Sequence, residues 1–183
     1  DAFAQFSPKL RELSEPFFSK RWIDAALAPG KSGGAYCAAV APDLHPYVFM
    51  NYTGKPRDVM TLAHELGHGL HDVLASRQTM LNFYPTLPLA ETASTFAEML
   101  TFDRLLRDLT DPREKLALVC EKIEDAFATV FRQVAMFRFE QDAHRARREQ
   151  GEQTTENYGQ LWQRNQQAMF GEAVALGEDH AWW

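Results

Sequence analysis

Two histidines four residues apart, His64 and His68, enclose a glutamate, Glu65. In an α-helix, positions four residues apart lie about 40° apart around the axis and about 6 Å apart along it, so both imidazoles can reach one metal ion. Neutral imidazole is a good zinc ligand, and two of them leave room for a third protein ligand and a water. Glu65 would lie beside that water and could take its proton. The pattern therefore predicts a catalytic site with one zinc ion per chain.

A chance match and a closed structural zinc site are the two alternatives. Structural sites usually need further cysteine or histidine ligands at close spacing. The two cysteines, Cys37 and Cys120, are far apart and lack that spacing. The motif also lies in a segment predicted to be helical, as the chemistry requires. The catalytic interpretation is therefore favoured.

A third ligand is expected from the helix after the motif, where Glu91 and Glu98 lie seven residues apart on one face. Most glutamates are solvated, but the start of this helix is otherwise apolar, with Leu89, Ala90, Ala93, Phe96 and Ala97. We therefore expect Glu91 to bind the metal. Glu98 and His71 are expected to support the ligands without touching the metal, Glu98 by orienting a zinc-bound histidine. A fourth ligand at His71 would close the site to hydrolysis.

The elements that must position these residues are mostly helical. The motif helix is predicted over about 57–76, where two glycines, Gly67 and Gly69, are tolerated, and a loop with two prolines is predicted over 82–88. Apolar stretches at 35–40 and 47–52 predict two strands that precede the motif helix. Further helices are predicted after Ser7-Pro8, over about 89–109, from Asp111-Pro112 to Gly151, and after Thr154-Thr155-Glu156. The expected fold class is mainly α, a zincin-like α+β arrangement with a small β-hairpin or sheet before the helix carrying the HExxH motif.

Composition narrows the possible partners. The chain has 183 residues and a net charge of −6, and its basic residues are scattered, which argues against binding nucleic acid or an anionic membrane. No apolar run approaches the roughly 20 residues that span a bilayer. No signal peptide is apparent, and both cysteines are expected to be free thiols, as is usual in the cytoplasm. We therefore expect a cytoplasmic location.

Several segments taken together resemble the oligoendopeptidase F and thimet oligopeptidase family of zinc metallopeptidases. The similar segments are residues 21–24, 30–36, 46–54, 61–68 and 91–98. The resemblance implies an endopeptidase that cleaves short peptides by means of a zinc-activated water, with Glu91 as the third ligand. It also implies that the strand around Gly33, Gly34, Ala35 and Tyr36 pairs with the peptide substrate. Glycines let another backbone approach closely, and pairing along a strand edge can recognise an extended peptide.

The chain also departs from the family pattern. Family members are several times longer, with helical walls around a deep channel, and they carry histidine and tyrosine residues after the last matching segment. Residues 1–183 are therefore expected to be a single partial domain, the zinc-binding core without the N-terminal walls and the C-terminal end. Surface left uncovered in this way could form a homo-oligomer. Two alternatives remain: an inactive zinc-binding fragment that self-associates, and a zinc hydrolase that does not act on peptides.

Overall fold

The computed structural model describes residues 1–183, which form two compact units, residues 1–110 and 111–183. The first unit contains α1 (Ala2–Phe6), α2 (Pro8–Ser19), β1 (Ile23–Asp24), β2 (Tyr36–Ala38), β3 (Tyr47–Phe49), α3 (Pro56–Ala75), α4 (Met80–Phe83) and α5 (Leu87–Asp108). The second contains α6 (Pro112–Gln150), α7 (Thr155–Phe170) and a 3-10 helix (Asp179–Ala181). The predicted fold class, mainly helical with a small sheet before the motif helix, is confirmed. None of the helices combines the length and apolar character needed to cross a bilayer.

Helix α3, which carries the HExxH motif, has a well-defined beginning. Pro56 is its first residue, a position where the missing N–H costs no helical hydrogen bond. The Asp58 carboxylate accepts hydrogen bonds from the backbone N–H groups of Thr53 (2.7 Å) and Lys55 (3.1 Å). A negative charge in the first turn also interacts favourably with the helix dipole. These contacts fix the first residue of α3. Because a helix has a regular period, they also fix which of its residues face the neighbouring elements.

The sheet has the strand order β1-β3-β2. Strands β2 and β3 are antiparallel, which confirms the predicted hairpin, although both are shorter than the predicted ranges. Strand β1 pairs in parallel with β3 and was not predicted, because two residues are too few to show an alternating pattern. Strand β2 is therefore an edge strand.

A small apolar core joins the sheet to the motif helix. Phe17 from α2, Val48 from β3 and Leu66 from α3 are buried against one another, with exposed fractions of 0%, 1% and 4%. Each such buried side chain contributes about 1.5–3 kcal/mol relative to exposure. The core therefore holds the motif helix against the strands that precede it.

The segment between α3 and α5 differs from the prediction. The loop expected over 82–88 contains the end of the short helix α4, and α5 begins at Leu87 rather than about residue 89. Pro85 lies between the helices, whereas Pro88 is in the first turn of α5. Proline is well tolerated in a first helical turn, so the second proline did not mark a loop.

In the second unit, α6 begins where its sequence predicts. The Asp111 side chain accepts a hydrogen bond from the Arg113 backbone N–H (2.8 Å), and the helix ends at Gly151, which has a φ of 87°. Its apolar side, which we call the α6 stripe, is largely exposed, whereas its buried residues are Leu118, Ala135, Ala143 and Ala146. The α6 stripe consists of Leu116, Val119, Ile123, Phe127, Val130, Val134 and Phe137. Periodicity identified an apolar face but could not identify what packs against α6.

Candidate metal centre

Helices α3 and α5 bring two histidines and one glutamate together. His64 and His68 lie one turn apart on α3, with ring centroids 5.0 Å apart. The Glu91 Oε2 atom, from α5, lies 3.3 Å from His64 Nε2 and 3.7 Å from His68 Nε2. The candidate ligand atoms of all three residues lie within 4.8 Å of one another. Two imidazole nitrogens and one carboxylate oxygen are a donor set typical of catalytic zinc, so the residues present fit this metal.

Glu98 lies behind His64, on the side away from Glu91. Its Oε2 atom is 3.3 Å from His64 Nδ1, and a hydrogen bond donated by that nitrogen leaves Nε2 free for a metal. The same hydrogen bond raises the pKa of His64, against the opposing effect of burial. Burial lowers the pKa of His68, which favours its neutral, metal-binding form. Glu98 therefore lies beside His64, and its role in orienting that histidine stays a prediction.

Ser94 contacts Glu91, a contact that the sequence did not predict. Its side chain is completely buried, and its hydroxyl lies 2.8 Å from Glu91 Oε2 and 3.0 Å from the Glu91 carbonyl oxygen, both acceptors. A hydroxyl on the next turn of the same helix thus restrains the carboxylate. The available signal was a small polar residue three positions after Glu91 in an otherwise apolar segment.

Gly67, inside the motif itself, allows α3 and α5 to approach closely. A Cβ atom added at Gly67 would lie 2.6 Å from Ser94 Cα and 2.7 Å from the Ala93 carbonyl oxygen. Real Cβ contacts are essentially never this short, so any larger residue would push the helices apart. The sequence predicts only that this glycine is tolerated within the helix, whereas the close approach of α5 requires it.

Glu65 is buried next to the edge of the sheet, with 7% of its surface exposed. Burial is the main cause of its raised pKa, and the negative charge of Glu91 adds to it. His64 and a hydrogen bond from the Cys37 backbone N–H act in the opposite direction. The candidate base therefore faces the backbone of strand β2.

The residues predicted to pair with substrate lie at this edge. Tyr36 is the first residue of β2, and Gly33, Gly34 and Ala35 immediately precede it. Gly34 has a φ of 84°, a conformation that favours glycine. The Tyr36 ring is stacked on Phe49 of the neighbouring strand, with centroids 4.9 Å apart. Both cysteines of the chain are free, as predicted.

His71 lies elsewhere. It is one turn beyond His68 and lines an apolar groove formed with residues of α1, α2 and α5. It is not part of the three-residue cluster. The structure therefore does not bring His71 to the candidate ligands, and its supporting role stays a prediction.

Comparison with known proteins agrees with the motif resemblance. Residues 6–181 match peptidase family M3. The chain is 33% identical over 146 residues to the chromosomal oligoendopeptidase F of Lactococcus lactis subsp. cremoris, covering 79% of this chain and 24% of that protein. A candidate peptidase from Chlamydophila abortus superimposes with a TM-score of 0.70 at 29% identity, over 98% of this chain and 30% of the other. PZ peptidase A, solved with an inhibitor, has the same fold at 20% identity, with a TM-score of 0.79 over 100% of this chain and 32% of that one.

The chain thus spans about a quarter of the length of the curated relatives that it matches. The family match nevertheless extends over nearly all of its residues. This chain belongs to peptidase family M3.

Proposed function

We propose that this chain is the metal-binding core of a zinc-dependent endopeptidase that hydrolyses short peptides. The observation that carries the proposal is the convergence of His64, His68 and Glu91 within 4.8 Å, next to the buried Glu65. Membership of a peptidase family supports the same reaction. The chain spans about a quarter of the length of its curated relatives. The activity of those longer proteins is therefore a proposal for this chain, and so is the description of residues 1–183 as a single partial domain.

His64, His68 and Glu91 would hold the zinc ion, with Glu98 and Ser94 restraining two of these ligands from behind. Zinc, when bound, polarises a carbonyl and lowers the pKa of water. The hydrogen bond to Glu98 fixes the tautomer of His64, and the Ser94 hydroxyl limits the rotation of the Glu91 carboxylate. Such restraint matters because ligand distances must be met within about 0.2 Å.

Glu65 would act as the general base. Its carboxylate would accept a proton from the attacking water and deliver it to the departing amine, so that the proton balance closes within one turnover. The raised pKa of Glu65 makes it a stronger proton acceptor than an exposed glutamate. The Cys37 backbone N–H faces this carboxylate, so Glu65 would lie beside the edge of β2 that an extended peptide would occupy.

The peptide would bind along the edge of β2. The backbone groups of an edge strand can pair with any extended peptide, which suits a short substrate recognised mainly through its main chain. The glycines at 33 and 34 leave the approach to Tyr36 free of side chains, and a Cβ at either position would meet nothing within 4 Å. This supports short, unstructured peptides as the substrate class.

The test is hydrolysis of internally quenched peptides by the zinc-loaded chain and by its Glu65→Gln variant. We expect Glu65→Gln to retain zinc, measured by elemental analysis, and to lose any hydrolysis, because glutamine preserves the shape and cannot act as a base. Glu15→Gln, an exposed position on α2, is the matched control and should behave like the parent. Equal hydrolysis by the parent and Glu65→Gln would refute the assigned base. Zinc content unaffected by a His64→Ala/His68→Ala double substitution would refute the metal centre.

A second candidate function is zinc binding without hydrolysis, in a chain that self-associates. The exposed α6 stripe favours it, since Phe127 and Phe137 are 61% and 59% exposed. Large exposed apolar patches commonly mark association surfaces. Zinc bound at one ion per chain, with no peptide cleavage and a concentration-dependent mass, would select this candidate.

A further inference from the structure

Lys31 has a buried side chain in the loop before strand β2, with only 8% of the side chain exposed. Its ammonium nitrogen lies 2.9 Å from the Asp24 carboxylate, 2.8 Å from the carbonyl oxygens of Ala26 and Met50, and 3.2 Å from that of Asp24. It also lies 4.6 Å from the centroid of the Phe49 ring. Four acceptors share its three protons, so the charge is fully satisfied. Burying a lysine is costly without such partners, which makes the arrangement specific.

These contacts tie the loop to the two other strands. Asp24 ends β1, Ala26 follows it, and Met50 follows β3, whereas the loop itself leads into β2. Two glycines with positive φ, Gly30 at 78° and Gly34 at 84°, flank Lys31. Glycine has the largest backbone freedom of any residue, so a loop of this composition is costly to order. The Lys31 ammonium supplies four hydrogen bonds that join the loop to Asp24 of β1 and to the residues that follow β1 and β3.

We propose that Lys31 is a positioning residue that holds the edge of β2 in the conformation that receives a peptide. The inference rests on the proposed function, since it concerns the peptide site of that same centre. An anchored loop 30–34 fixes where Tyr36 enters the strand. It thereby fixes Cys37, the next residue of β2, whose backbone N–H faces the Glu65 carboxylate. Lys31 itself touches neither the metal ligands nor the peptide edge and acts only through the loop.

The anchor is tested first by hydrogen exchange of the zinc-loaded chain. Lys31→Met keeps most of the aliphatic stem and removes the ammonium. We expect amides in residues 30–38 to exchange at least tenfold faster, because the loop then opens locally. The matched control is Lys9→Met, whose exposed side chain pairs only with Glu12 on the same helix, and exchange in residues 30–38 should not change there. Unchanged exchange over 30–38 in Lys31→Met overturns the proposal.

The positioning role is tested by peptide binding in a Glu65→Gln background, where bound peptide is not cleaved. The probe is an equimolar pool of fluorescein-labelled nonapeptides, followed by anisotropy. We expect Lys31→Met to raise the peptide Kd at least tenfold and to leave zinc affinity within twofold. Faster loop exchange with an unchanged peptide Kd would reduce Lys31 to a loop stabiliser and overturn the positioning role. If the Glu65→Gln parent itself binds no peptide, the proposed function is refuted, and the positioning role with it. The hydrogen-exchange result would still show whether Lys31 anchors the loop.

Discussion

Replacing Gly67 by alanine tests whether the close contact between α3 and α5 creates the metal centre. The added Cβ would lie 2.6 Å from Ser94 Cα, and an ordinary contact requires at least 3.4 Å, so the helices must separate by about 0.8 Å at this point. Neither helix can relieve the clash by rotating a side chain, because the nearest atoms belong to the α5 backbone. Glu91 moves with α5, whereas His64 and His68 move with α3.

This displacement is large for a metal site and modest for the fold. Ligand distances are tolerated within about 0.2 Å, so a movement of about 0.8 Å removes Glu91 as an effective ligand. We expect zinc affinity to fall at least about 100-fold, since losing an outer partner alone typically costs 10–100-fold. Overpacking lowers the free energy of unfolding by about 1–3 kcal/mol, but alanine is more favourable than glycine inside a helix by about 1 kcal/mol. The metal-free chain should therefore lose at most about 2 kcal/mol of its free energy of unfolding.

The assay is competition for zinc against a chromophoric chelator, alongside denaturant unfolding of the metal-free chain. Gly69→Ala is the matched control on the same helix, because its Cβ would lie 2.5 Å from the Phe17 ring rather than from α5. We expect Gly69→Ala to be destabilised by a similar amount, at most about 2 kcal/mol, and to keep its zinc affinity within about threefold. Equal zinc affinities for the two variants would refute the idea that the contact at Gly67 places Glu91.

Three further outcomes are expected. Glu98→Ala should weaken zinc affinity about 10–100-fold without abolishing it, and unchanged affinity in the competition assay would show that Glu98 does not orient His64. Hydrogen bonds from Asn165 and Arg164 lower the pKa of Asp142 in the folded chain, so its stabilisation is present above the unfolded pKa of about 3.9 and disappears as the pH falls through the folded value. Denaturant unfolding should show a parent advantage over Asp142→Asn of at most about 1 kcal/mol at pH 7, because the pair is partly exposed to solvent, and the advantage should fade below about pH 4. An advantage independent of pH would contradict this. The exposed α6 stripe should make the chain self-associate, and Val130→Glu should weaken that association at least tenfold in sedimentation experiments. A parent chain that stays monomeric at the highest concentration would refute the predicted self-association.

Local features of the chain were accessible from its sequence because they depend on residues close together along it. His64 and His68 share one face of a single helix because of their spacing, and Pro56 marks where that helix begins. The caps of α6 and the antiparallel pairing of β2 with β3 likewise follow from neighbouring segments. Similarity to a peptidase family was also accessible, because several such segments occur together.

Features that join distant segments were decided only by tertiary packing. Glu91 reaches the histidines because α5 lies against α3 at Gly67, a contact whose need for glycine is invisible until the second helix is in place. Strand β1 exists through its pairing with β3, since two residues carry no pattern of their own. The buried contacts of Lys31 depend on carbonyl groups up to 19 positions away in sequence. The spacing of residues along the sequence determines which of them can share one face of a helix. The distance between the backbones of two separate elements depends instead on the volumes of all the side chains in their interface.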